Sequence, residues 1–227
     1  MMPEKLKRRG RRSLVSLACG ALCLLLAATL AACEGGEVAT KDSNAKSNAA
    51  LKRGVKPEPD AQVAVVETEF GQIVIELYPN LAPQMVERFK RLVGEGFYDG
   101  TAFHRVNPAL GVVQGGSPNS RDDDPANDGI GQSPYPNLPA EFSDIPYERG
   151  IVGAARSNSP DSANSQFYIT LKRVPQWDGE YTVFGRVIKG MGDADIIARA
   201  PVITGTESPD PKIIIRRITL QPRANFV

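Results

Sequence analysis

The chain has 227 residues, of which 41% are apolar, 23% charged and 7% aromatic, and its formal net charge is +1. These ordinary values exclude a collagen, a coiled coil and a wholly disordered chain. The near-neutral balance does not predict nucleic-acid binding, which usually shows as an excess of basic residues. Six of the 27 basic but only one of the 26 acidic residues lie in residues 1–32, so residues 33–227 carry 21 basic and 25 acidic residues and are mildly acidic.

Residues 1–32 have the composition of an export signal, with a basic stretch that ends at Arg12 and an apolar run from about Leu14 to Leu30. The sequence Leu-Ala-Ala-Cys that follows, ending at Cys33, resembles the lipobox of bacterial lipoprotein signals. The resemblance implies cleavage before Cys33 and lipidation of its thiol, so we expect a protein anchored in the bacterial cell envelope with its body outside the cytoplasm. The alternative is an uncleaved anchor helix, because the apolar run is nearly long enough to span a bilayer.

Small, polar and charged residues dominate residues 33–60, which are therefore predicted to form a flexible tether. A folded domain is predicted over residues 61–221, with a short C-terminal tail at 222–227. All three cysteines, Cys19, Cys23 and Cys33, lie in the leader or at its edge. The body can therefore form no internal disulfide, although an exported protein meets an oxidising compartment.

In chain order, the body begins with two β-rich runs within Gln62–Tyr78, which predict an antiparallel hairpin. A helix is predicted over Ala82–Val93, where apolar residues recur at helical spacing, and a second over Asp193–Arg199. The polar segment Gly115–Tyr147, rich in Pro and Gly, predicts a long surface loop. Further β-rich runs are Ala102–Val106, Gly111–Gln114, Ile151–Ala155, Gln166–Leu171, Val183–Ile188 and Ile213–Leu220. Many short strands separated by Gly and Pro turns favour a barrel or a sandwich.

Several classes of enzyme and site find no support in the sequence. The single histidine, His104, and the absence of Gly-x-Ser-x-Gly argue against a serine hydrolase, and the body has no cysteine for catalysis. There is no zinc-type cluster and no Gly-rich phosphate loop. The acidic run Asp122–Asp128 has Ala126 where a calcium loop needs a ligand, so a solvated loop is favoured over a cation or partner site. We expect neither a metal nor a cofactor.

Five motifs follow one another between Val63 and Leu220. They are Tyr98–Val106 (YDGTAFHRV), Gln114–Gly116 (QGG), Arg149–Gly150 (RG), Asp161–Ile169 (DSANSQFYI) and Val183–Val187 (VFGRV). In this order and spacing they closely resemble the cyclophilins. The resemblance implies a mainly β fold, a closed eight-stranded antiparallel barrel capped by two α-helices. It also implies cis/trans isomerisation of X–Pro bonds in extended or unfolded polypeptides, here in the folding of exported proteins, by what we expect to be a monomer.

The resemblance also assigns site residues. Arg105 matches the family's catalytic arginine, whose permanently charged fork can donate to the peptide group at proline and weaken its resonance. The alternative for Arg105 is a barrel-wall arginine in an ion pair. Because the reaction transfers no proton, His104 is interpreted as a structural hydrogen-bonding residue, with Phe103 beside it and Phe167 filling the barrel. The remaining residues are Gln114 and Gln166 beside the arginine, Ala155 and Arg156 on the substrate-pairing edge, and Leu110, Val112, Tyr168, Trp177 and Tyr181 around the proline pocket.

The pocket residues depart from the family pattern. The segment between Arg105 and Gln114 is one residue longer than usual and has smaller side chains where the family has Phe and Met. Trp177 takes a leucine position and Gln176 a tryptophan position, which predicts that aromatic area has moved from one wall to the other; the alternative for Trp177 is a core residue. Without an indole donor at position 176, tight cyclosporin binding is not expected. The changes also motivate a second hypothesis, a proline-peptide binding or chaperone module with low turnover.

Overall fold

The computed structural model of the protein describes residues 49–227. The predicted signal, the lipobox with Cys33 and most of the tether therefore lie outside the described residues. From residue 49 onward, no helix is both long enough and apolar enough to cross a bilayer.

Ten strands and two α-helices form the described part of the chain. The strands are β1 (Gln62–Thr68), β2 (Gly71–Leu77), β3 (Ala102–Phe103), β4 (Arg105–Asn107), β5 (Val112–Gly115), β6 (Ile151–Ala154), β7 (Phe167–Thr170), β8 (Val183–Lys189), β9 (Ile213–Ile214) and β10 (Arg217–Pro222), and the helices are α1 (Pro83–Gly94) and α2 (Met191–Ile197). Eight strands form one antiparallel sheet in the order β10-β1-β2-β8-β6-β7-β5-β4, and β3 pairs separately with β9. The mainly β class and the two helices are as predicted.

The sheet is a curled half-barrel, and the described residues do not show the closed barrel that the resemblance implied. Within residues 49–227 no ladder joins β4 to β10, the two edge strands. The physical reason is that the outer edge of β4 is already occupied, because the Val106 N–H donates to the Glu207 carbonyl at 2.8 Å. Two runs predicted as single strands are each interrupted, and their first parts, β3 and β9, form a separate ribbon in which Phe103 lies opposite Ile213.

Helix α1 covers the main core. It begins at Pro83, where the missing N–H costs nothing. Its buried residues, at helical spacing, are Met85, Val86, Phe89, Leu92 and Val93. The ring of Phe89 lies 5.2–5.6 Å from those of Tyr98, Phe167 and Phe184, centroid to centroid. The helix therefore packs against residues of β7 and β8 and against Tyr98, which precedes β3. Helix α2 starts two residues earlier than predicted, directly after Gly190.

The segment between β5 and β6 is long and irregular, as predicted, with a short 3-10 turn at Pro118–Arg121. The side chain of Asn164 holds it in place. The Asn164 Oδ1 accepts from the backbone and hydroxyl of Ser133, and its Nδ2 donates to the Tyr135 carbonyl at 2.9 Å. These bonds fix the part of the loop that reaches the site described below.

Both ends of the described chain pack on the body. Near the start, Lys52 Nζ donates to the Leu81 carbonyl at 2.8 Å, and the Asp60 N–H donates to the Leu77 carbonyl at 2.8 Å. The last residues of the predicted tether thus run along the folded surface. In the predicted C-terminal tail, Phe226 packs against apolar residues of β1 and β2 on the side of the sheet opposite the main core.

Candidate active site

Three neighbouring strands place the polar site residues on one face of the sheet. Arg105 on β4 lies directly opposite Gln114 on β5, and Gln114 lies opposite Tyr168 on β7. Directly opposed residues share a face, and successive residues alternate between faces. Val113 therefore points into the main core, and the same strands present Arg105, Gln114 and Tyr168 on the other side.

A chain of hydrogen bonds runs across this face from the guanidinium of Arg105. Its Nη1 donates to Gln114 Oε1 at 3.2 Å, and Gln114 Nε2 donates to Gln166 Oε1 at 3.0 Å. Gln166 Nε2 donates in turn to the carbonyls of Gly129 and Gly131 at 3.0 and 2.9 Å. Each amide orients the next, so the two glutamines fix one end of the guanidinium relative to the loop.

The other side of the guanidinium meets a carboxylate. Arg105 Nε donates to Glu207 Oε2, and Asn107 Nδ2 donates to Glu207 Oε1. Arg105 therefore does form the ion pair that the alternative interpretation predicted. The side chains of Arg105 and Glu207 are 38% and 40% exposed, however, so the arginine remains accessible to solvent. Among residues 49–227, Arg105 Nη2 has no hydrogen-bond partner. The arginine keeps donors available for a bound peptide.

His104 lies beneath this network and is 5% exposed. Burial lowers the pKa of its imidazole to about 4, and the positive charges of Arg105 and Lys212 act in the same direction. Polar groups of Ala102 and Gln166 oppose the shift, but neither makes a hydrogen bond of normal geometry to a ring nitrogen. The hydrogen-bonding role predicted for His104 is not seen, and the imidazole is neutral at neutral pH.

The predicted pocket residues form one aromatic cluster beside the polar network. The Tyr168 ring lies 5.0 Å from Trp177 and 6.1 Å from Tyr181, and Trp177 lies 5.2 Å from Tyr181, centroid to centroid. Tyr168 is only 3% exposed, and its hydroxyl donates to that of Tyr147 at 3.1 Å. Burial raises the pKa of both tyrosines well above its usual value. Leu110, Val112 and Ala155 pack on the same cluster.

Two neighbouring cavities open along the polar network. One, of about 310 Å³, is lined by Gln114, Gln166, Ala155 and Arg156 together with Gly129–Gln132, Ser157, Ser162 and Asn164. The other, of about 260 Å³, is lined by His104, Arg105, Pro125, Asp128, Gly129, Glu207 and Ser208. Four predicted substrate-binding residues therefore line one cavity and the predicted catalytic residue lines the next. None of the rings of Tyr168, Trp177 and Tyr181 lines either cavity.

Known proteins share the sequence pattern behind this geometry. The family model described as cyclophilin type peptidyl-prolyl cis-trans isomerase/CLD matches residues 63–220. The chain belongs to the cyclophilin family. A probable peptidyl-prolyl cis-trans isomerase of Brucella suis is 41% identical over 175 residues, which cover 76% of this chain and 89% of that protein. A peptidyl-prolyl cis-trans isomerase of Acinetobacter baylyi is 36% identical over 162 residues, covering 69% of this chain and 82% of the relative.

A solved structure shares the fold of this cyclophilin. The crystal structure of a cyclophilin type peptidyl-prolyl cis-trans isomerase from Cryptosporidium parvum, determined in the presence of the dipeptide Ala-Pro, superposes with a TM-score of 0.63. It is 28% identical in sequence, and the match covers 70% of this chain and 98% of that one. The match extends over nearly the whole of the smaller protein, so the shared fold is not confined to one motif.

The other predicted site residues of this cyclophilin lie in the core or at the edge of the site. Phe103 and Phe167 are fully buried, with ring centroids 6.1 Å apart. Ala155 and Arg156 follow the end of β6, and the Ala155 N–H donates to the Gln166 carbonyl at 3.0 Å. The guanidinium of Arg156 stacks 4.2 Å from the centre of the Tyr181 ring. Trp177 is partly exposed and packs on the cluster of Tyr168. Its position thus has features of both predictions, a pocket-wall residue and a core residue.

Sequence reasoning missed two parts of the site. One is the carboxylate of Glu207, which binds both Arg105 and Asn107. Glu207 lies 102 residues after Arg105 in the chain. No motif surrounds Glu207, so no sequence signal pointed to it. The Gly129 and Gly131 carbonyls were also unforeseen, because only the fold brings that loop to Gln166. No three carboxylate, His or Cys groups of residues 49–227 come together to hold a metal, and Asp128 instead pairs with Lys212 at 2.8 Å.

Proposed function

We propose that this cyclophilin catalyses cis/trans isomerisation of X–Pro peptide bonds in extended or unfolded polypeptides, with Arg105 as the catalytic donor. The observation that carries the proposal is the Arg105–Gln114–Gln166 network beside two open cavities. The relatives named as peptidyl-prolyl isomerases and the solved relative studied with Ala-Pro support the same reaction and the same type of substrate.

The chemistry needs one well-placed donor. The C–N rotation barrier of about 18–20 kcal/mol comes from amide resonance, which places nitrogen electron density on the carbonyl. A hydrogen bond that is stronger to the twisted amide than to the planar amide stabilises the transition state more than the substrate, and it therefore lowers this barrier. A rate gain of about 10⁴ corresponds to about 5.5 kcal/mol, and one preorganised donor supplies about 2.7–4 kcal/mol in other enzymes. Gln114 and Glu207 hold Arg105 in advance, so little reorganisation remains for the reaction step.

No covalent bond is made or broken in this reaction. The chain's own groups therefore have three tasks: to bind the backbone beside proline, to hold the proline ring and to present Nη2 of Arg105. We assign the first task to the segment Ala155–Arg156 and to Gln166, which line the larger cavity. The second falls to Tyr168, Trp177 and Tyr181.

A second function is favoured by the packing of the aromatic cluster. Tyr168 is 3% exposed and three neighbouring aromatic rings surround it, so a proline ring must displace part of the cluster to enter. If that displacement is slow or unfavourable, the protein binds proline peptides in its cavities with little turnover. This is the binding or chaperone module that the altered pocket sequence suggested.

An assay of the arginine tests the proposal. We expect Arg105→Ala to lower turnover at least tenfold in a protease-coupled proline-peptide assay and to leave thermal unfolding nearly unchanged. Arg91→Ala is a matched control, because Arg91 on α1 also forms an exposed ion pair, with Glu95 directly after the helix, at 3.0 Å. Equal rates for wild type and Arg105→Ala remove Arg105 from the mechanism. Wild-type activity at background, with measurable peptide binding, favours the binding module.

The cellular role is a further part of the proposal. The basic leader, the apolar run and Cys33 support cleavage, lipidation and anchoring at the bacterial cell envelope, where the domain would assist the folding of exported proteins. Two or three acyl chains hold a protein on a membrane far better than one. Mass spectrometry of the mature amino terminus tests this directly: an acylated Cys33 is expected, and an intact Met1 would favour the uncleaved anchor.

A further inference from the structure

Glu207 is held by a short hairpin of its own. The Ile203 N–H donates to the Ser208 carbonyl at 3.0 Å, and the Thr206 N–H donates to the Ile203 carbonyl at 2.9 Å. Gly205, directly before Thr206, has a φ of +81°, a left-handed conformation that glycine adopts without strain. The turn therefore fixes the backbone position of Glu207 and limits the space that its side chain can sample.

Through Glu207, this hairpin forms hydrogen bonds with all three residues of β4. The Glu207 carbonyl accepts from the backbone N–H of Val106 at 2.8 Å. One oxygen of its carboxylate accepts from Arg105 Nε, and the other accepts from Asn107 Nδ2. A single residue thus joins the edge strand by its main chain and by both side-chain oxygens. These three contacts to one strand fix Glu207 beside Arg105 more firmly than an isolated surface ion pair would.

We propose that Glu207 is a positioning residue for Arg105, an inference that rests on the proposed function. Glu207 holds Nε and Gln114 holds Nη1, so two contacts define the plane of the guanidinium and its rotation. The remaining nitrogen, Nη2, makes no hydrogen bond within residues 49–227, so its donors are available to a bound peptide. Because the pair is half exposed, solvent screens the carboxylate, and the arginine keeps most of its attraction for the peptide group at proline.

Steady-state kinetics separate positioning from binding. We expect Glu207→Ala to lower kcat about tenfold, equivalent to 1.4 kcal/mol, with KM changed less than about twofold, because a disordered arginine still meets the peptide but seldom in the productive orientation. Glu207→Gln keeps an acceptor for Nε and should retain more activity than Glu207→Ala. Glu95→Gln, which weakens the exposed ion pair of Glu95 with Arg91, is the matched control and should have the kcat and KM of wild type.

A double-mutant cycle shows whether Glu207 acts through Arg105. In an Arg105→Ala background, Glu207→Ala should lower turnover no further, because the group it orients is gone. An equal loss in both backgrounds, or a fall in the midpoint of thermal unfolding that accounts for the loss, overturns the inference. A rise in kcat on Glu207→Ala also overturns it, since the carboxylate would then be restraining the arginine from its substrate.

A measurement on the side chain itself keeps the inference independent of the activity. In the NMR spectrum, the Nε–H of Arg105 should have a high order parameter in wild type and a low one in Glu207→Ala, while other arginines are unchanged. An order parameter that is equal in the two proteins refutes the positioning role. If wild type has no turnover above background, the proposed function fails, and this readout still decides what Glu207 does to Arg105.

Discussion

The two halves of the site differ in how they are held. The polar half, with Arg105, Gln114, Gln166 and Glu207, is half exposed and fixed by directional hydrogen bonds next to open cavities. The aromatic half, with Tyr168 at its centre, is buried and packed on itself. Hydrogen bonds to charged groups fix orientation while leaving other donors free, whereas apolar packing is strongest when no space remains. The polar half is thus ready for a substrate, and the aromatic half must rearrange to admit one.

The largest predicted effect comes from protonation of His104, the residue before Arg105. The pKa of His104 is lowered to about 4 by burial, against about 6.5 in the unfolded chain. Between these values the unfolded state binds more protons, so the free energy of unfolding should fall by roughly 3 kcal/mol as the pH drops from about 6.5 to about 4. Above pH 6.5 this contribution is complete and constant. The buried tyrosines of the aromatic half do not titrate in this range.

Denaturant unfolding at a series of pH values measures this effect. His104 is the only histidine in the chain, so the difference between wild type and His104→Gln isolates it from the carboxylates. The two curves of unfolding free energy against pH should converge as the pH falls. Parallel curves would show that His104 is accessible to protons in the folded protein, contrary to its burial.

An intermediate effect is expected from overfilling the aromatic half. A methyl group on Gly153 would overlap the ring of Tyr168, whose neighbours leave it no space to retreat. Gly153→Ala should therefore destabilise the protein by about 1–3 kcal/mol and lower the thermal midpoint by several degrees. The fluorescence of Trp177, the only tryptophan in the chain, should change as Tyr168 moves.

Gly192→Ala supplies the control for this substitution. Gly192 lies inside α2, and no atom lies within 4 Å of the position that its added carbon would take. Alanine there should leave stability equal or slightly higher. If Gly153→Ala is equally harmless, the aromatic half is loosely packed and a proline ring can enter it without difficulty.

The smallest effect is expected from removing Gln166, the residue of the hydrogen-bond network that is farthest from Arg105. Gln166→Ala removes the acceptor for Gln114 and the donor to the loop carbonyls, while Arg105 keeps Glu207. Losing such hydrogen bonds costs about 0.5–1.5 kcal/mol, so turnover should fall by roughly twofold to tenfold. Gln221→Ala, which removes only a bond to Thr219 at the strand end, should not change turnover. Unchanged turnover in Gln166→Ala would limit the working network to Arg105, Gln114 and Glu207.

Much of the fold follows from local patterns. The hairpin of β1 and β2 follows from two β-rich runs, and α1 from apolar residues at helical spacing that match its buried face. The failure of the barrel to close could not be predicted in this way. The runs Ala102–Val106 and Ile213–Leu220 look like continuous strands, but both are interrupted. In the second, the Ile215 N–H donates to the Thr101 carbonyl and the Arg216 N–H donates to the Glu67 carbonyl, both far away in the sequence.

The sequence by itself determined the family and brought Arg105, Gln114 and Gln166 into one hypothesis, because the order and spacing of the motifs that resemble the cyclophilins can be read along the chain. Only the tertiary structure decided that Glu207 holds Arg105, that His104 is buried without hydrogen bonds, and that Tyr168 is enclosed by other rings. These are contacts between residues up to about a hundred positions apart, and their energies depend on distances and solvent exposure that no single segment of sequence specifies.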